Sequence, residues 1–411
     1  LALPNSQNLD NIPTDDERIY DLLSRGDVMG IFQVEGQGMR RVLMKMRPRK
    51  FEHVVATISL FRPGPMEHID DYIDRMHGRK QVEYRHPSLV PILEETFGII
   101  VYQEQIIRIL ADIAGYSASD ADLVRRAVGK KKKAELLKHR ASFVEGAVEH
   151  GRLPRQTAEA IFDDIEYFAR YGFNKAHAAD YAVLTCQTAY LKSKYPVEYM
   201  TALLTVEQDN TDKVSTFLAE CRRLGIPVLP PDVNASGLDF AIQEVPPDLG
   251  DTLPHVESKC APRNGAIRFG MGAVKNVSAG AVQEIVRARE EDGPFASLSD
   301  FCERVDLRHV NRRMLECLIK VGVLDRFGPR ERLLAAIDQM MSMSAQIHQA
   351  EDVGQMTMFD MFGAAGQSRA SGIRLPEVEP VERREMLNWE KELVGFYVSE
   401  HPLTQVALNL Q

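Results

Sequence analysis

The chain has 411 residues, 44% hydrophobic and 27% charged, with a formal net charge of −9. That length suits about two to four domains with a sizeable core, and the balance is that of an ordinary globular protein. The net negative charge argues against a uniformly basic nucleic-acid coat but leaves a local basic groove open, because steering depends on where charge sits.

The start, "LALPNSQNLDNIP", carries neither an initiator Met nor a signal-peptide pattern, and the end, "HPLTQVALNLQ", is apolar without a closing cap. The expectation is a fragment of a longer chain. No apolar run approaches the roughly 20 residues that cross a bilayer, so no membrane association is expected. Cys186, Cys221, Cys260, Cys302 and Cys317 form no CxxC pair and have no His partner at zinc spacing. They read as reduced, structural thiols of a cytosolic protein.

The first predicted helix opens at "TDDERIYDLLSRGD", with Thr14 and Glu17 as a capping box and Tyr20, Leu22 and Leu23 as its apolar face. In "LFRPGPMEHIDDYIDRMHGR", Pro63 and Pro65 flank Gly64 and predict a rigid turn that presents Arg62. Asp70, Asp71 and Asp74 follow, and acids in early helical turns are usually macrodipole decoration rather than metal ligands. From about 86 to 205 apolar residues recur three and four apart, with Gly or Pro between segments, which predicts one large helical domain.

Within it, "DLVRRAVGKKKKAELLKHR" holds eight Lys or Arg against two acids. A cationic run on one helix repels itself, and the ordinary reading is a solvated face. Here Gly129 breaks the helix so that the next begins among lysines, which tilts the reading towards phosphate. Further on, "YGFNKAHAADYA" puts His177 and Tyr181 four apart on one helical face, with Asn174 and Lys175 just ahead. A base could stack on that face, yet from spacing alone two core residues with satisfied polar tips is the better reading.

Residues 225–240 read as a β-like connector and 241–265 as an irregular loop. Two helix–turn–helix-like units follow at 266–292 and 295–340, then a Met-, Gln-, Ala- and Gly-rich linker at 341–388.

Together, "GIFQVEGQGMR", "FRPGPMEHIDDYIDRMHGR", "FGIIVYQEQII", "RRAVGKKK", "YGFNKAHAADYA" and "VLPPDVN" resemble the bacterial replicative DNA polymerases of family C, the polymerase III alpha subunits, in that family's order. The resemblance implies a mainly α fold with little β structure: end of the palm and start of the fingers (1–50), fingers (51–235), tandem helix-hairpin-helix module (236–340), linker (341–388), and a connector towards an OB-fold (389–411). It implies template-directed addition of dNMP to a primer 3′ end, with dNTP, primer–template DNA, the sliding clamp and other replicase subunits as partners. The family's Mg²⁺-binding aspartates lie upstream of the part resembled, so no catalytic or metal-binding residue is expected here, and the fragment alone is expected to be inactive. His177 and Tyr181 become the stacking platform for the nascent base pair. Asn174, Lys175, Arg125, Arg126 and Lys130 become nucleotide-binding candidates, and Arg62, Lys131 and Lys132 DNA-binding ones.

In the hairpin module Lys275, Asn276, Gly280, Gly322 and Gly328 are the implied DNA contacts, although Asn276 and Ser278 stand where the family's first hairpin normally has glycine. Finally, "GQMTMFDMFG" is similar to the sliding-clamp-binding pentapeptide, with Gln355, Met358 and Phe359 in its key positions. Two alternatives stay open: a non-replicative, damage-tolerance member of family C, and a non-catalytic helix-hairpin-helix module.

Overall fold

Three-and-four spacing of apolar residues produces helices along most of the chain. The computed structural model describes residues 11–129, 133–169, 171–244, 265–352 and 373–397, and helices dominate them. Strands among the described residues are short, so the fold is mainly α. The chain divides into two compact units, Leu1–Lys194 and Tyr195–Gln411. That division falls inside the stretch 51–235 expected as a single fingers segment, because the helices after 195 pack with the strands that follow them.

The first unit contains α1 (Glu17–Arg25), α2 (Gln37–Met46), α3 (Phe51–Leu60), α4 (Ile69–Met76), α5 (Val90–Leu93), α6 (Gln103–Ala114), α7 (Ala118–Gly129), α8 (Lys133–Glu149), α9 (Arg155–Phe168) and α10 (Lys175–Lys194). The cap of α1 is Asp16, not the expected Thr14–Glu17 box: its carboxylate accepts the Arg18 amide at 2.9 Å and the Arg18 guanidinium as well. A charged acceptor makes a stronger pair than a threonine hydroxyl offers, and Asp16 wins the position. Tyr20, Leu22 and Leu23 are buried as the spacing predicts.

Every residue of α3 from His53 to Leu60 is buried. Thr57 and Ser59 tolerate this by donating to carbonyls one turn back, at 2.7 Å each. Helices α1 and α10 pack together, and α10 also lies along α3. A second core joins α6 to α9 through Ile106, Ile109, Leu110, Phe143, Phe162 and Ile165. The Phe143 and Phe162 rings there are 5.5 Å apart.

The second unit opens with a helix pair, α11 (Pro196–Val206) and α12 (Thr211–Leu224), beside a three-stranded sheet. Its strands are β1 (Val228–Leu229), β2 (Ala241–Glu244) and β3 (Gly265–Arg268), in the order β1-β3-β2. Strand β1 runs parallel to β3 with Val228 opposite Ile267, and β2 runs antiparallel with Ile242 opposite the same residue. Then come α13 (Ala279–Asp292), α14 (Leu298–Arg304), α15 (Arg312–Lys320), α16 (Arg330–Ala335), α17 (Ile337–Asp352) and α18 (Arg383–Val394). Residues 341–352 and 383–388, which composition assigns to a linker, are therefore helical. Ser344 explains the first: it is fully buried, accepts the Leu307 amide at 3.0 Å and donates to the Val305 carbonyl at 2.8 Å. Glu390 explains the second: it is fully buried against Arg330 at 2.9 Å. No helix among the described residues is long and apolar enough to cross a membrane.

His53 carries a pH-dependent part of the stability of the first unit. Its ring is buried in α3, Nδ1 accepts the Arg49 amide at 3.2 Å, and burial pushes its pKa down from 6.5 to about 4. The folded chain thus keeps His53 neutral where the unfolded chain protonates it. Stability is full above pH 6.5 and falls as pH drops towards 4, by at most about 1.4 kcal/mol per pH unit. Urea denaturation at stepped pH reads this slope, and His53→Gln is expected to flatten it; an unchanged slope in the variant assigns the effect to another group.

Candidate functional site

The start of α10 is set by contacts from outside the helix. Residue 173 forms a parallel bridge with Tyr102: Phe173 donates to the Val101 carbonyl at 3.0 Å, and the Gln103 amide donates to the Phe173 carbonyl at 2.9 Å. The Gln103 side chain adds a bond to the Gly172 carbonyl at 2.9 Å. Asn174 then closes the helix, its Oδ1 accepting the His177 amide at 2.8 Å. Its observed role is that of a helix cap.

The turn before α4 buttresses the same segment. Gly64 has φ +103°, and a Cβ there would lie 2.4 Å from the Tyr171 ring, so both the conformation and the space require glycine. Arg62 donates to the Ser59 and Tyr171 carbonyls at 2.8 Å each, and its guanidinium lies over the Phe173 ring at 4.2 Å. Burial lowers its pKa. Pro63 and Pro65 do present Arg62, but inwards, onto 171–173.

With α10 fixed this way, its rings form a row. Phe173 and His177 have centroids 5.6 Å apart, His177 and Tyr181 4.5 Å, and Tyr181 continues to Phe32 at 5.4 Å. His177 is exposed and Tyr181 half-buried, which overturns the core reading that spacing alone favours. Beside the row lies a cavity of about 450 Å³ lined by Gln33, Gly36, Met39, Ile58, Phe61, Arg62, Phe173, His177 and Tyr181. Phe32 and Gln33 lie in "GIFQVEGQGMR" and Phe173 in "YGFNKAHAADYA", but no spacing in those motifs shows that the chain path brings 30–36 beside α10.

The cations are engaged rather than bare. Lys175 Nζ pairs with Glu95 at 2.8 Å, and its amide donates to both Glu104 carboxylate oxygens at 3.0 Å. Arg125 and Arg126 share Asp122, Arg125 at 2.9 Å, and these two bonds hold the Asp122 carboxyl below the usual range. One shared acid leaves the pair a net positive charge, with Arg126 well exposed. Lys130, Lys131 and Lys132 lie outside the described residues.

In the second unit Asn276 takes the glycine-like left-handed conformation, with φ +65°, its Oδ1 accepting from Arg313 at 3.2 Å. Ser278 caps α13 through the Ala281 amide at 3.3 Å. Lys275, Asn276 and Gly280 are exposed, and a Cβ on Gly280 would meet no atom. Gly322, in contrast, is buried with φ +90°, and a Cβ there would lie 2.5 Å from the Arg330 guanidinium. Gly328 faces Leu375 in the same way, at 2.4 Å. Gly322 makes room for Arg330, and Gly328 makes room for Leu375. Gln355, Met358 and Phe359 lie outside the described residues.

Asp70, Asp71 and Asp74 each pair with a cation: Asp70 with Lys45 at 2.5 Å, Asp71 with Arg75 at 3.0 Å and Lys80 at 2.5 Å, and Asp74 with Arg79 at 2.8 Å. Among the described residues no group of three His, Cys, Asp or Glu is arranged to hold a metal ion. This donor set does not fit Mg²⁺.

A helical unit carrying an exposed ring row, followed by a unit with exposed hairpin turns, has the form of a nucleic-acid-handling protein. Residues 4–151 match the family described as the bacterial DNA polymerase III alpha subunit finger domain, and 225–334 match the helix-hairpin-helix motif. The chain is 45% identical over 399 residues to the DNA polymerase III subunit alpha of Thermus aquaticus, covering 96% of this chain and 30% of that protein. To its counterparts in Vibrio cholerae and Escherichia coli K12 it is 40% and 39% identical, over 98% and 97% of this chain and 34% and 33% of theirs. The chain belongs to the bacterial DNA polymerase III alpha subunit family, and it spans about a third of the length of these relatives. Arg62, Arg125 and Arg126 fall in the finger-domain match, whereas the α10 rings lie between the two matched regions and are covered by the whole-chain relatives.

Proposed function

We propose that this chain is the nucleotide-positioning and DNA-gripping part of a replicative DNA-directed DNA polymerase, which adds dNMP to a primer 3′ end and releases pyrophosphate. The observation that carries the reading is the ring row His177–Tyr181, exposed on a rigid helix beside a cavity and next to Lys175 and Arg62. A base stacks on the rings, an interaction worth about 1–3 kcal/mol. Lys175 exchanges Glu95 for a phosphate at little cost, because a half-exposed ion pair is weak. Arg125, Arg126 and Lys130 attract the triphosphate or the nearby backbone, and the exposed turn Lys275–Asn276 with Gly280 approaches duplex phosphates. Metal chemistry belongs to residues other than these; the contribution here is orientation, a large share of catalysis in phosphoryl-type transfer. A non-catalytic hairpin module would leave the exposed rings without a purpose. A replicative role also implies a cytoplasmic location and a sliding clamp as partner, met by Gln355, Met358 and Phe359.

In the complete polymerase, His177→Ala and Tyr181→Ala are each expected to raise the KM for dNTP by about 1–2 kcal/mol equivalent. Loss of melting temperature with unchanged nucleotide kinetics would return both residues to the core.

Neutralising Arg125, Arg126 and Lys130 together should weaken binding and flatten the plot of log affinity against log salt. The slope is expected to fall by about 0.9 for each duplex phosphate that the variant no longer neutralises. An unaltered slope in a folded variant makes the run a solvated face.

A peptide spanning 352–364 is expected to bind purified clamp with a Kd of about 1 μM or weaker, as suits a few buried anchors that must be ordered on binding. Combined Met358→Ala and Phe359→Ala should abolish that binding in a calorimetric titration. Equal binding by the double variant would move the clamp site elsewhere.

A further inference from the structure

Phe32 is an exposed aromatic that the chain holds still. The residue is 39% exposed, and its ring centroid lies 5.4 Å from that of Tyr181. An exposed ring on a loose loop would carry no meaning, but this loop is tied to α10 at several points. The Phe32 amide donates to Thr188 Oγ1 at 3.3 Å, and Thr185 Oγ1 donates to the Phe32 carbonyl at 3.1 Å. The buried Lys192 Nζ donates to the carbonyls of Asp27 and Met29, at 2.9 and 2.7 Å. Gly30 and Gln33 both take left-handed backbone, with φ +73° and +66°. The second of these is unfavourable for a residue with a Cβ and persists only where the surroundings impose it.

All of these ties reach the helix that carries His177 and Tyr181. Phe32 therefore moves with the ring row as a rigid part of it, a preorganised apolar face at the row's end.

The row has two chemically different ends. Arg62 lies over Phe173, and Lys175 stands beside that ring in sequence, so the first end suits phosphate. At the other end the side chains bonded to or stacked on Phe32 are Tyr181, Thr185 and Thr188, all uncharged. A base, not a phosphate, suits that end, and one nucleotide brings only one base.

We propose that Phe32 is a second stacking surface, which takes a base of the nucleic-acid strand adjacent to the pair seated on His177 and Tyr181: the first unpaired template base beyond the templating one. This rests on the reading of α10 as a nucleotide platform and adds a single-strand subsite to it. Stacking of this kind tolerates any base, because each presents a π-face.

The test uses the complete polymerase and two primer–templates that differ only at that template position, one carrying a base and the other an abasic sugar. Fluorescence anisotropy without dNTP gives the ratio of their dissociation constants. The parent is expected to prefer the base by about five- to twentyfold. Phe32→Leu keeps the apolar volume and should bring the ratio close to one, while Phe32→Tyr should keep it. A parent ratio near one overturns the proposal. So does a Phe32→Leu variant that weakens both DNAs equally, or that lowers the melting temperature with the ratio intact, since Phe32 would then be packing against protein. The platform reading fails separately: it is read by the KM for dNTP of His177→Ala and Tyr181→Ala on the primer–template that carries every base, a quantity that the abasic ratio does not enter.

Discussion

A short parallel bridge between 101–103 and 171–173 governs the geometry of the first unit. Three hydrogen bonds, of 3.0, 2.9 and 2.9 Å, tie a loop to the chain that begins α6. They fix the point at which α10 starts and thereby its rotation about its own axis. Rotation decides everything that follows, because residues four apart share a face and each step of one residue turns the helix by about 100°. With Asn174 as cap, His177 and Tyr181 face the cavity while Ala178, Ala182 and Cys186 face the core. A start shifted by one residue would turn both rings by about 100°, away from the cavity.

The surroundings of that bridge show how a charged, ring-rich segment is made rigid without being buried. Arg62 directs two of its donors to carbonyls and lays its plane on Phe173. Gly64 lets Tyr171 come close, and Glu104 receives the Lys175 amide at the helix N-terminus, where a carboxylate is favoured by the exposed N–H groups. Each ring pair in the row adds about 0.5–1.5 kcal/mol beyond its buried area. The cost falls on the left-handed turn at Gln33 and on a lysine kept among carbonyls in the interior. Preorganisation of this sort reduces the entropy lost when a ligand is bound.

The second unit solves a different problem, holding hairpin turns and a distant helix together. Arg330 does so: it donates to Asp325, to the Lys320 carbonyl and to the buried Glu390 of α18. An arginine removed from water needs all of these partners, and breaking such a set is more costly than never forming it. Gly322 and Gly328 are glycines because Arg330 and Leu375 occupy the space beside them. The first hairpin carries no such burden, and its exposed turn uses Asn276 in place of glycine.

Local pattern determined the helical class, the buried face of α1 and the family, since periodicity and ordered motifs are properties of the chain itself. The cap of α1 and the ends of the linker escaped it, because Asp16 outcompetes Thr14 only through a second bond to Arg18, and Ser344 and Glu390 are held by residues 37 and 60 positions away. For the site, the sequence named His177, Tyr181 and Lys175 but could not orient them: four-residue spacing puts two rings on one face without saying whether that face meets core or solvent. Nor could it join Phe32 to Tyr181 or Arg62 to Phe173, separated by 149 and 111 positions. Those pairings depend on how α3, α10 and the bridge at 101–103 pack. Packing is decided by which buried groups find partners across the fold, and that information lies in three dimensions.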